Sequence, residues 1–122
     1  MIDDDDFVVE AASEYLMRYG YDVHTAREFS AAKSLLMTRY FNVVLMDLHL
    51  TAGTAADGVR MVRWVREQFP STHIGILTEP AASGVEDAVR SIGVTSFIQK
   101  PATLKHILTA VHALSASAAD PV

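Results

Sequence analysis

The chain has 122 residues, half of them apolar, which suits one domain with an ordinary hydrophobic core. Its formal charge of -5 leaves no basic stripe to neutralise phosphates, which argues against a nucleic-acid surface. The lack of cysteine excludes disulfides, thiolate catalysis and thiolate metal sites, and the lack of a signal peptide or a spanning apolar run sets the expectation of a cytoplasmic protein with no membrane partner.

Met1-Ile2 runs at once into four adjacent carboxylates, Asp3, Asp4, Asp5 and Asp6. Two readings fit: a solvated acidic end, or a very short strand leading into a cation-binding turn. Asp6 is placed to cap a helix beginning near Phe7, since a carboxylate accepts the orphan amides of a first turn. Residues 7–19 read as that helix, with Val8, Ala11, Ala12, Tyr15, Leu16 and Tyr19 recurring at three- and four-residue spacing and Gly20 ending it. Residues 21–25 read as a short strand. Residues 29–38 read as a second helix with Phe29, Ala32, Leu35 and Leu36 inward.

The stretch Asn42-Val43-Val44-Leu45-Met46-Asp47 follows. An unbroken apolar run suits a strand buried on both faces of a parallel sheet. A carboxylate at its end is tolerated if it emerges at the C-terminal edge, where open α/β sheets place their sites. A small, Gly-punctuated loop runs to Gly58. Residues 59–69 form a helix with Val59, Val62, Val65 and Phe69 on one stripe, Trp64 beside it facing solvent or a partner, and Pro70 as the stop.

Residues 73–78 are another apolar strand, ending at Thr78, and Pro80 lies in the loop beyond. Residues 85–92 are a short helix closed by Gly93, and residues 95–99 a strand followed by Lys100-Pro101. Thr103 caps a last helix over residues 104–114, with Leu104, Ile107, Leu108, Val111 and Leu114 inward. Residues 1–114 thus make one domain, and the Ala/Ser-rich residues 115–122 a tail or the start of a linker. Arg60, Arg63, Arg66 and Arg90 read as solvated helix faces, and His24, His73, His106 and His112 as scattered surface or packing residues.

A β-α pair repeated five times implies parallel strands with right-handed crossovers. Parallel strands bring their C-terminal ends to one edge, so Asp3 and Asp4, Asp47, Thr78 and Lys100 can converge there. Carboxylates crowded in one crevice repel unless a hard divalent cation or an ammonium lies among them. Such a site suits phosphoryl transfer to a carboxylate, with Asp47 attacking and a cation and Lys100 offsetting charge on the transferred oxygens. No Gly-rich phosphate loop or dinucleotide fingerprint follows any strand, which argues against a nucleotide-binding α/β enzyme.

In this order, Asp3-Asp4-Asp5, Gly20-Tyr21-Asp22-Val23, Val43-Val44-Leu45-Met46-Asp47, Asp57-Gly58, Leu77-Thr78 and Phe97-Ile98-Gln99-Lys100-Pro101 resemble the receiver domains of two-component response regulators. The resemblance spans nearly the whole chain. It implies a flavodoxin-like fold: a five-stranded parallel sheet of order 2-1-3-4-5 with helices on both faces. It further implies Asp47 as phosphoacceptor, Asp3 and Asp4 as paired acids for Mg²⁺ or Mn²⁺, and the backbone carbonyl of His49 as a further ligand. Thr78 matches the switch hydroxyl, Phe97 the aromatic that turns inward with it, and Lys100 the lysine before a proline, Pro101, that is often cis. The implied donor is a sensor histidine kinase or histidine phosphotransfer protein. The fourth helix, fifth strand and fifth helix are the expected output or homodimer face, and the domain is expected to be a switch rather than an enzyme.

Three departures stand out. Only Met1-Ile2 precedes the paired acids, where the family has several apolar residues. The loop after Asp47 is longer than usual over residues 51–56 and has no proline, and Glu79-Pro80 replaces small residues after Thr78. A shortened first strand keeps a second reading open: a receiver-like interaction module that is not phosphorylated in use.

Overall fold

Val43–Asp47 forms strand β1, buried from Val44 onward as a strand covered on both faces should be. His73–Thr78 is β2 and Ser96–Gln99 is β3. The three pair in parallel in the order β1-β2-β3, with Asp47 opposite Leu77 and Thr78 opposite Gln99. The structure, a computed structural model, describes residues 1–48, 55–78 and 83–119. His49, Pro80 and most of the long loop after Asp47 lie outside the described residues.

Five helices accompany the sheet: α1 Asp6–Arg18, α2 Phe29–Thr38, α3 Ala55–Gln68, α4 Ser83–Ser91 and α5 Leu104–Ala119. Side chains alternate across a strand, so neighbouring β1 residues serve different layers. Val44 and Met46 meet Ala32 and Leu36 of α2, Met61, Val62 and Val65 of α3, and Val89 of α4. Leu45 and Leu77 meet Ala12 and Leu16 of α1 and Ile107 and Val111 of α5. Helices therefore cover both faces, as the resemblance implies.

The expected five strands reduce to three among the described residues. Ile2 makes only single parallel bridges, to Ala26 on one side and Met46 on the other. After Ile2 the chain turns through its acidic run, and residues 21–25 form no ladder among the described residues. Met1 bonds to His24 C=O and Ala26 N–H, Ile2 bonds to Leu45 C=O and Asp47 N–H, and ahead of these bonds residues 22–24 and 43–45 face each other with no bridge among the described residues. An open cavity of about 680 Å³ lies there, lined by Met1, Val23, Phe41, Leu45 and Val111 among others.

Several local expectations shift. Asp5, not Asp6, caps α1, accepting from Phe7 N at 3.0 Å and Val8 N at 3.3 Å. The buried stripe of α1 is Val9, Ala12, Ser13 and Leu16, one residue on from the expected start, and Tyr19 is exposed. Trp64 is half-buried, edge-on to Phe69 at 5.7 Å and covered by Lys33 Nζ at 5.2 Å, rather than facing solvent. Leu104 lies on the exposed side of α5, which continues to Ala119 through residues expected as tail. Thr103 caps α5 as expected, accepting from His106 N at 3.1 Å.

Candidate functional site

The end of β1 carries Asp47 into the interior, where it is 4 % exposed. Ile2 lies against β1, accepting from Asp47 N at 2.8 Å, and this bond sets the next residue, Asp3, beside Asp47. Asp3 is fully buried, and its Oδ1 accepts from Asp5 N at 3.0 Å, which fixes the acidic turn. Asp4 completes the group: one carboxylate oxygen from each of Asp3, Asp4 and Asp47 lies within 4.8 Å of the others.

Lys100 follows β3 and is tied to β2 through its backbone N–H, which donates to Thr78 O at 2.8 Å. Its Nζ donates to Asp47 Oδ2 at 2.8 Å and lies 3.1 Å from Asp3 Oδ2. The second contact is an ion pair outside hydrogen-bond alignment, so Asp3 Oδ2 is buried with charge compensation but no aligned donor. Burial pushes the Asp3 carboxyl above its ordinary range; the Asp5 amide and Lys100 counter this in part, and the Asp47 charge adds to it. For Lys100 burial pulls downward, but the bonds to Asp47 and Asp3 more than reverse it and leave the ammonium raised.

This donor set consists of oxygens alone, with an unaligned buried carboxylate oxygen among them. It therefore fits a hard divalent cation such as Mg²⁺ and not a transition metal that prefers nitrogen or sulfur. Asp3, Asp4 and Asp47 are the described residues that could hold it. The structure thus brings Asp3, Asp4, Asp47 and Lys100 together, with Thr78 buried at the end of β2 and joined to Lys100 by the backbone. Phe97 is half-buried on β3, and the Lys100-Pro101 peptide is cis. The 680 Å³ cavity lies at the opposite end of β1, away from the charged cluster.

Sequence reasoning missed two supporting residues. Gly58 lies so close beneath the end of β1 that a Cβ there would come within 2.6 Å of Leu48 O; its place in Asp57-Gly58 was the only signal. Arg90 is exposed as expected, but its guanidinium carbon also sits 4.2 Å from the centroid of the Phe97 ring.

The chain has relatives among known proteins. RegA, the photosynthetic apparatus regulatory protein of Rhodobacter capsulatus, is 27% identical over 111 residues, which cover 91% of this chain and 59% of RegA. The response regulator protein PilR of Pseudomonas aeruginosa is 26% identical over 106 residues, covering 85% of this chain and 23% of PilR. The chain thus spans about three fifths of the former relative's length. Among solved structures, the signal receiver domain of an HD domain-containing protein from Pseudomonas fluorescens Pf-5 superposes with a TM-score of 0.85 at 22% identity, over 96% of this chain and 92% of that one. The receiver domain of NtrX from Brucella abortus gives 0.80 at 23% identity, over 93% and 95%. These two likenesses show the flavodoxin-like α/β receiver fold. Residues 1–112 match the family of the response regulator receiver domain, and the chain belongs to that family.

Proposed function

We propose that Asp47 accepts a phosphoryl group from a phosphohistidine on a sensor histidine kinase or phosphotransfer protein, and that the domain works as a switch rather than a turnover enzyme. The observation that carries this is the sharing of Lys100 between two buried carboxylates, Asp47 and Asp3, inside an oxygen-only cluster at the strand ends. A carboxylate oxygen attacks phosphorus without first losing a proton. The new O–P bond forms as the donor's P–N bond breaks, and the departing imidazole takes up a proton. Asp3, Asp4 and Asp47 would hold Mg²⁺ or Mn²⁺, which would supply positive charge for the transferring oxygens; the further ligand expected at His49 lies outside the described residues. Lys100 follows those oxygens, and Thr78 donates its hydroxyl to one of them. Slow attack of water on phosphorus then releases phosphate and restores the carboxylate.

The new anion favours a second arrangement of the strand-end loops, with Phe97 turned inward behind Thr78. The face formed by α4, β3 and α5 is then the surface for an output partner or a second copy. The double bridging of Ile2, to Ala26 and to Met46, supports reading the sheet as order 2-1-3-4-5. Single bridges in place of ladders at Ile2 favour a second reading, an interaction module not phosphorylated in use.

Incubation with acetyl phosphate and Mg²⁺ separates the two. The expected result is labelling of the parent, none in Asp47→Ala, and none in the parent with chelator. A folded parent that stays unlabelled would leave the interaction module standing. Sedimentation with and without beryllofluoride, a phosphoryl mimic, tests the output face through a change in association.

A further inference from the structure

Phe97 is held from two sides. Beneath, it packs on the core cluster that includes Ile76 and Val89. Above, the Arg90 guanidinium of α4 covers the ring at 4.2 Å. Arg90 Nη2 also donates to Glu86 Oε1 at 2.8 Å, one turn earlier on the same helix. This bond to Glu86 holds the planar guanidinium over the ring. A phenyl ring has no hydroxyl to anchor it, so packing and this cation alone fix where it sits. The ring is three residues before Lys100 on a strand joined to Thr78, so its position is linked to the charged cluster by a short, hydrogen-bonded path.

We propose that Arg90, aligned by Glu86, is a positioning residue that keeps Phe97 in its resting place and so sets how readily the Asp47 site switches. This rests on the reading of Asp47 as phosphoacceptor and of Phe97 as the ring that turns inward. Turning inward takes the ring away from Arg90, so the contact stabilises only the resting arrangement. A contact of this kind biases a two-state equilibrium by about two- to fivefold.

The test is a beryllofluoride titration in excess Mg²⁺, followed by the amide signals of Thr78 and Lys100. Arg90→Ala should tighten beryllofluoride about two- to fivefold, the range of an exposed cation–π contact. Glu86→Gln and Arg90→Lys should tighten it by less. In a Phe97→Leu background, Arg90→Ala should change nothing, which a general loosening of α4 would not reproduce. Urea denaturation run beside each titration shows that the variants fold. An unchanged or weaker affinity in Arg90→Ala, or the same tightening with and without Phe97, overturns the proposal. A parent that takes up no beryllofluoride brings down the phosphoacceptor reading and this proposal with it; a parent that binds while Arg90→Ala binds equally brings down this proposal alone.

Discussion

Asp3 gives up hydration without gaining a full set of donors, and that imbalance makes a prediction about acid. Its carboxyl is raised above the ordinary 3.8, so between that value and the native one the folded protein holds more protons than the unfolded chain. Stability in chelating buffer should therefore fall as pH rises through that window, and urea denaturation across pH 3.5 to 8 should lose part of this slope in Asp3→Asn. Lys100 has the opposite charge but the same sign of shift, so its contribution holds below 10.5 and fades as pH climbs beyond it. Adding Mg²⁺ at ten times its dissociation constant should stabilise the parent by about 1.4 kcal/mol, through mass action on the folded state. Asp3→Asn should show less of this gain. Lys100→Met leaves Asp3 and Asp47 facing each other without a cation, and should cost about 3 kcal/mol in metal-free buffer, the lower end for a broken buried pair. Millimolar Mg²⁺ should recover part of that loss.

Elements were legible in proportion to how far they depend on their own sequence. Val43–Asp47 announced itself by an apolar run closed by a carboxylate, and the five helices by period and stop signals. Which residue of α1 sits at the centre of its buried stripe was not legible, because Val8 and Val9 are both apolar and spacing alone cannot choose between them. Asp5 displaced Asp6 as cap for a similar reason: four adjacent aspartates offer the same chemistry, and the turn fixed by the Asp3 carboxylate decides. The contact of Arg90 with Phe97 was missed because a ring contact between α4 and β3 has no trace in the spacing of either. The start of α3 makes a sharper prediction. Gly58→Ala sets a methyl carbon against Leu48 O, which is backbone and cannot swing aside. Relief requires α3 or the end of β1 to move, at a cost of about 1–3 kcal/mol, as for an overpacked core. Because Leu48 adjoins Asp47, Mg²⁺ affinity should drop together with the urea midpoint; an unaltered affinity would mean that α3 alone had yielded.

At the scale of the molecule, convergence of Asp3, Asp47, Thr78 and Lys100 follows from parallel topology, and alternating patterning was enough to foresee it. The limit on pairing around Ile2 was foreshadowed by the two residues before the acids, but the loss of two strands as ladders was not. The bonding pattern fixes what would complete them. Ile2 bonds to β1 through Leu45 O and Asp47 N, while Met1 bonds to His24 O and Ala26 N. A residue joined ahead of Met1 would next face Val43 O and Leu45 N, and the one before it Asp22 O and His24 N. Two β-branched residues fused there should slow amide exchange at Leu45 and His24 and raise the melting temperature. Proline directly ahead of Met1, which has no N–H for Val43 O, should weaken both effects.

That hollow also bears on how molecules of this protein meet. A sheet's outer border invites whole neighbouring sheets to stack onto it. Here β1 and residues 22–24 face each other across the hollow, with Leu16 and Val111 among its walls. Residues 22–24 stand across the hollow from β1, so a neighbouring sheet meets no bare border of β1 to grow from at this place.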